Sequence, residues 1–432
     1  MTSKINIMMT EIFTKYVPDT APSPAPSRRS WLTWKKKLGL VVSLLLVTGV
    51  LVFAWWANPL PLLSPLNSAA TFRFLSGETL GATSEKIVYG FLPYWNFNDL
   101  ALQPELTTLS YFSLTIGGDG AIILQEGDHT EPGYNRLKSD QFLDVSSRLL
   151  DDGKRVDLVV SQFDNDDIVS FLNSEAAQDR FLDSLDSVLL AYPFSGVNID
   201  IEYSGEVTDH LRQQLTTFVQ KVNTHLDTKY RNTQLSIDMY AGAGTNYTLW
   251  DVAAIAPEVD YIIVMAYDFH RKSSTQAGPV APLFGGKELW DSDISEHLAG
   301  FLKKVPSQKI LLGVPFYGYG WQTTTRDAQS NTFPQTGSTA TFKYVQELLA
   351  QKTELAIQEN WNEEALSPYL TYEKGGETYI IYYENSRSLS YKLDFVNQLD
   401  LGGIAIWALG YEGDSRELWD VINRKVLLQQ SE

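Results

Sequence analysis

From Lys86 onward the chain alternates two hydrophobic rhythms. Short runs of β-branched and apolar residues begin at Lys86 (KIVYGFL), Leu106 (LTTLSYFSL), Lys154 (KRVDLVVS), Gly196 (GVNIDIEY), Thr233 (TQLSIDMY), Val259 (VDYIIVMAY), Lys309 (KILLGVP) and Gly402 (GGIAIWAL). Their length and β-branched content mark them as strands. Between them lie helical spacings. Phe181, Leu185, Val188, Leu189 and Tyr192 form one apolar stripe, and Leu211, Leu215, Phe218, Val219, Val222 and Leu226 form another, opened by a capping Thr208 and Asp209. Near-continuous apolar strands must be covered on the sheet's faces, so eight strands alternating with helices predict a parallel (β/α)8 barrel.

The last two strand starts, Lys309 and Gly402, are 93 residues apart, too far for one helix and its loops. An α+β insertion is expected over about 322–383, with a helix from Phe342 to Gln351 and a hairpin turning at Gly375-Gly376. Loops that follow barrel strands build the functional face, so this insertion should wall a cleft.

Ahead of the barrel the pattern changes. Leu38 to Ala57 runs 20 residues without a formal charge and ends in Trp55 and Trp56. At about 1.5 Å per residue that length crosses a hydrocarbon core of about 30 Å, and tryptophan favours the membrane interface. A cleaved signal peptide has a shorter apolar region and small residues before its cut, whereas Trp55 stands three residues before a cut after Ala57. The expectation is a transmembrane anchor with Lys35–Lys37 on the cytoplasmic side and the barrel outside. The organisation expected is a basic tail over 1–37, the anchor over 38–57, a linker over 58–84 and a catalytic barrel over 85–432.

Charge sharpens that division. The whole chain of 432 residues carries a formal net charge of −18. Residues 1–37 hold seven basic and two acidic groups, so this tail is +5 and the remainder is −23. An acidic outer part is a poor match for phosphate backbones, which excludes nucleic acid as the expected partner. With no cysteine and five scattered histidines lacking an HExxH spacing, neither a cofactor nor a metal is expected. The acidic run Asp164-Asn165-Asp166-Asp167 reads as a helix start more readily than as a calcium loop.

Chemistry concentrates in the fourth strand. Asn198, Asp200 and Glu202 alternate with Val197, Ile199 and Ile201, so the polar set shares one face. In a barrel that face points inward, and carboxylates buried there are costly unless they have work to do. Glu202, nearest the C-terminal end, is placed to meet substrate, with Asp200 one repeat below raising its pKa by like charge. A solvent-facing edge strand and a metal site are the competing readings of the same alternation.

The octapeptide Ser195-Gly196-Val197-Asn198-Ile199-Asp200-Ile201-Glu202 resembles the DGxDxDxE signature of glycoside hydrolase family 18, the chitinase-like barrel enzymes. Met265-Ala266-Tyr267-Asp268 is similar to the family's sixth-strand MxYD, Gly90-Phe91 through Trp95 to its first-strand segment, and Ile406-Trp407 to its eighth-strand tryptophan. The likeness covers residues 86 to 422. Ser195 and Asn198 depart from the signature's first two aspartates. With Asn198, and with Phe269-His270 followed by Ala277-Gly278-Pro279-Val280-Ala281-Pro282, the chain is most similar to the cell-wall and spore-cortex N-acetylglucosaminidase branch.

The resemblance implies substrate-assisted hydrolysis of a glycan containing N-acetylglucosamine, peptidoglycan or chitin-like, with retained anomeric configuration. Glu202 is then the acid and base, Asp200 orients the substrate's acetamido group, and Tyr267 hydrogen-bonds its oxygen. Asn198, Trp407, Phe91, Met265 and Asp268 are the expected substrate-binding residues. For Trp407 and Phe91, core packing competes with a sugar-facing role; Asp268 is open between binding substrate and capping its loop. A catalytically silent glycan-binding protein of the same fold is the rival, and retention of Glu202, Asp200 and Tyr267 together argues against it.

Overall fold

A computed structural model describes residues 86–427. The expected tail, anchor and linker lie outside the described residues. Among the described residues no helix is long and apolar enough to cross a membrane.

All eight expected barrel strands form. The first seven are β1 (Ile87–Pro93), β2 (Thr108–Thr115), β3 (Arg155–Gln162), β4 (Gly196–Ile201), β5 (Gln234–Tyr240), β6 (Tyr261–Met265) and β7 (Ile310–Pro315). Five further strands follow in the insertion: β8 (Tyr317–Thr323), β9 (Ser338–Thr341), β10 (Gln358–Asn362), β11 (Ser367–Lys374) and β12 (Glu377–Tyr382). The eighth barrel strand is β13 (Gly403–Trp407). The barrel strands pair in parallel around a closed ring, and β1 joins β13 with Ile87 opposite Gly403. Closure leaves no free edge, so every barrel strand is paired on both sides.

The two helical stripes become α1 (Glu175–Ala191) and α2 (Asp209–Lys229). Thr208 caps the second, accepting a hydrogen bond from the Leu211 N–H at 3.1 Å, and all six of its stripe residues are buried. Coverage of the barrel is uneven. After β1 there is only a 3₁₀ turn (Tyr94–Asp99), and after β5 a four-residue helix (Val252–Ile255). Asp164 starts the helix Asn165–Leu172, its carboxylate accepting from the N–H groups of Asp166 and Asp167 at 2.9 and 3.1 Å.

The insertion begins at Tyr317, five residues before the expected start near Gln322, because β7 ends at Pro315 and the chain turns at once into β8. Its sheet runs in the order β9-β8-β12-β11-β10. The helix Phe342–Leu349 packs on this sheet around Val345, Leu348, Leu370, Tyr372 and Ile381. Between β11 and β12 the predicted hairpin turns through Gly375 (φ 65°) and Gly376 (φ 86°), two consecutive left-handed positions that glycine adopts without strain.

Inside the barrel, Tyr89, Phe91, Phe112, Val159, Ile263, Leu311 and Ala405 form a packed apolar plug, with Trp407 against it. Polar side chains occupy the rest of the lumen and pair with one another: Tyr89 donates to Ser110 at 2.8 Å, and Ser113 and Ser161 hydrogen-bond at 2.7 Å. The plug fills the barrel interior, and the loops after the strands build the face on which a cavity opens.

Candidate active site

Strand β4 carries its carboxylates where the period-two pattern puts them. Val197, Ile199 and Ile201 are fully buried on the outer side, and Asn198 and Asp200 are buried in the lumen. Glu202 is the first residue beyond β4, held in line by its own N–H, which donates to the Gln162 carbonyl at 3.0 Å. Gly196 starts the strand because a side chain cannot fit there: an added Cβ would lie 2.3 Å from the Asp157 carboxylate on β3.

Above the strand ends lies a cavity of about 280 Å³ lined by Asp200, Glu202, Asp238, Tyr240, Met265, Tyr267, Asp268, Arg271, Tyr317, Tyr319 and Trp407, with Phe112, Thr339 and Tyr411. Six of the eight expected site residues meet there: Glu202, Asp200, Tyr267, Met265, Asp268 and Trp407. Two do not. Phe91 is 1% exposed and sits behind Trp407, ring centroids 5.7 Å apart. It therefore supports the tryptophan and presents no face to a ligand. Asn198 lies below the cavity floor, donating through Nδ2 to Asp238 Oδ1 at 2.8 Å and to Ser236 Oγ at 3.0 Å. Both corrections have one cause, the depth at which each side chain lies in the closed barrel.

Asp268 is placed by its backbone, at φ 61°. Its Oδ1 accepts from the Tyr317 hydroxyl and, at 2.9 Å, from the Tyr319 hydroxyl. These tyrosines lie on β8, so Asp268 ties the β6 loop to the insertion and closes one wall of the cavity. Trp407 turns its indole between Phe91 and Phe112, the latter meeting it edge-on at 4.7 Å.

Burial governs the acid–base state of the site. Desolvation pushes the Glu202 carboxyl up, with the negative charge of Asp268 adding to the rise, while a hydrogen bond with Tyr240 and the Arg271 cation oppose it. The β4 alternation points to Asp200 as the source of that rise; in the folded barrel the leading cause is loss of water. Asp200 is itself pushed well up by burial, then by the charges of Asp238 and Glu202. Asp238 rises well above the carboxylate range for the same first reason, with Glu202 adding and the Asn198 hydrogen bond opposing. Carboxyls that raise one another in this way titrate as a set. Among the described residues no group of three or more His, Cys, Asp or Glu is arranged to hold a metal.

Asp238, Tyr240, Arg271, Tyr317 and Tyr319 are site residues that the motif reading passed over. For the first two a signal existed: Ser236, Asp238 and Tyr240 alternate with Leu235, Ile237 and Met239, as the polar set does on β4. Asp157, on β3, has the same inward phase and lies at the base of β4, pushed up to about 7 chiefly by burial. Asp238 gives a direct test. Replacing it with Asn removes a neighbouring negative charge that raises Asp200, so Asp200 ionises at lower pH. The acidic limb of kcat/KM should move to lower pH in Asp238→Asn; a limb that stays in place would show that the two carboxyls do not titrate together.

Comparison with known proteins decides the family. The model for "Glycosyl hydrolases family 18" matches residues 85–412. The chain belongs to this family. Membership makes it a glycosidase by family. It is 26% identical over 269 residues to the uncharacterized glycosylase YvbX of Bacillus subtilis (strain 168), covering 61% of this chain and 71% of that protein. It is 24% identical over 324 residues to the cortical fragment-lytic enzyme of Bacillus anthracis, covering 72% and 66%. The chain spans 54% of the length of a putative sporulation-specific glycosylase of Bacillus subtilis (strain 168) and 37% of chitinase A1 of Niallia circulans. In three dimensions it resembles the Group IV chitinase of Ostrinia furnacalis in complex with allosamidin, with a TM-score of 0.70 at 19% identity, covering 81% of this chain and 100% of that one. At that identity the structural likeness speaks for the fold.

Proposed function

We propose that this family 18 glycosidase hydrolyses β-linked glycans containing N-acetylglucosamine, retaining anomeric configuration through the substrate's own acetamido group. The observation that carries the reading is the meeting of Glu202, Asp200 and Tyr267 in one cavity floored by Trp407. Glu202, whose carboxyl burial pushes up and so holds its proton to higher pH, gives that proton to the glycosidic oxygen as the C1–O bond breaks. The acetamido oxygen attacks C1 from the opposite face, so no protein nucleophile is required. Asp200, whose Oδ1 is buried and accepts no hydrogen bond among the described residues, takes the amide N–H and balances the charge that develops on the ring formed. Tyr267 donates to the acetamido oxygen. Glu202, now a carboxylate, takes a proton from water, which opens the ring and leaves the product with its starting configuration.

The apolar run 38–57 behind Lys35–Lys37 supports a membrane-anchored enzyme with its barrel outside the cytoplasm. Similarity to a cortical fragment-lytic enzyme and to chitinases favours cell-wall peptidoglycan or a chitin-like polymer as substrate. Incubating the full chain with a chitin oligomer and with peptidoglycan should release new N-acetylglucosamine reducing ends from at least one, initially as the β anomer by proton NMR. Initial α anomer would sink the acetamido mechanism, and no release from either would sink the hydrolase.

A further inference from the structure

We propose that Arg271 is a specificity residue that binds a carboxylate carried by the glycan, so that the cleft selects an acidic amino-sugar polymer over a neutral one. This rests on the hydrolase reading above and names the class of substrate for the same site.

Among the described residues Arg271 is the one basic side chain lining the cavity, in a wall that also holds Asp200, Glu202, Asp238 and Asp268. The fold takes trouble to hold it there. The indole N–H of Trp321, on β8, donates to the carbonyls of Arg271 and Lys272, each at 3.2 Å. Gly337 packs so closely that an added Cβ would lie 2.0 Å from the Lys272 carbonyl oxygen. The Arg271 backbone N–H donates to Ser274 Oγ of the same loop at 2.8 Å. The guanidinium is aimed by one further bond, Nε donating to the Asp268 carbonyl at 3.2 Å. Both Nη groups are left without a hydrogen bond or salt bridge among the described residues, and the side chain is exposed at the rim.

A cation here acts against the acid step, because its charge lowers the Glu202 pKa that burial raises. Serine, asparagine or glutamine would hydrogen-bond sugar hydroxyls without that effect. The arginine is therefore explained by something only a cation supplies. Two free Nη donors in a planar fork match a carboxylate, and an ammonium does not reproduce that geometry. The surroundings make the local cation necessary: the chain beyond residue 37 is −23, and the cavity adds four carboxyls of its own. Among the described residues a carboxylate on a sugar ring has no other positive group in that cavity to meet.

The test uses the full chain and three probes: N-acetylglucosamine tetramer, peptide-free glycan strands with ether-linked carboxylates, and the same strands with those carboxylates amidated. Wild type should show kcat/KM at least about tenfold higher on the carboxylate strands than on the amidated ones. Arg271→Met should bring that ratio close to one, and Arg271→Lys should leave it between the two. A ratio in Arg271→Met equal to that of wild type would overturn the proposal, as would equal losses on all three probes, the mark of a cation acting only on Glu202. Failure of wild type to cleave any probe would overturn the hydrolase reading instead.

Discussion

Replacing Glu202 with Gln should lower turnover of an N-acetylglucosamine oligomer by about a thousandfold, in the range that a positioned acid and base contributes, while the oligomer still binds. Gln keeps the shape of Glu and its hydrogen bond to Tyr240 but has no proton to give to the leaving oxygen. The loss should fall on kcat, since the side chain matters most where charge develops on that oxygen. Release of reducing ends, set beside calorimetric binding of the same oligomer, checks both halves. Turnover at the wild-type rate would remove Glu202 from the mechanism. Lost binding together with lost turnover would point to a damaged cavity, which circular dichroism would register.

The second large effect is expected at Asp200. Asp200→Asn keeps the volume beneath the substrate amide and removes the charge opposite the cationic ring formed from it. Loss of one preorganised electrostatic partner of this kind costs on the order of 10²–10³ in kcat, about 3–4 kcal/mol. KM should move little, because the neutral substrate has not yet developed the charge that Asp200 meets. The informative comparison is a substrate whose 2-acetamido group is replaced by hydroxyl. Wild type should hydrolyse it poorly, and Asp200→Asn should add little to that defect, since both changes remove the same interaction. Independent, multiplying losses would mean that Asp200 acts elsewhere.

How much of this was legible in the sequence varies residue by residue. The alternation of Asn198, Asp200 and Glu202 with Val197, Ile199 and Ile201 is a local property of an extended chain, and each side chain points as that pattern requires. The stripe from Leu211 to Leu226 is equally local, and all six residues are buried on one helix. Met265, Tyr267, Asp268 and Trp407 were found because each stands at the end of a strand whose neighbours carry a recognisable pattern. Phe91 shares that setting and is buried all the same, because the Trp407 ring from β13 lies over it. Tyr317 and Tyr319 reach the site only because the insertion folds back over the β6 loop, about fifty residues earlier in the chain.

What the sequence determined by itself is the set of periodic elements, their order, and the face of β4 on which the acids stand. These depend on the two-residue and 3.6-residue repeats of the backbone, which need no distant partner. Closure of the ring decided the rest. It set how deep each inward side chain lies, brought Asp238 from β5 to within a hydrogen bond of Asn198, and put Arg271 in reach of Glu202. It also made burial the chief cause of the raised Glu202 pKa. Depth and exclusion of water are properties of the packed whole, because removing one carboxyl from solvent takes atoms from strands that are far apart in the chain.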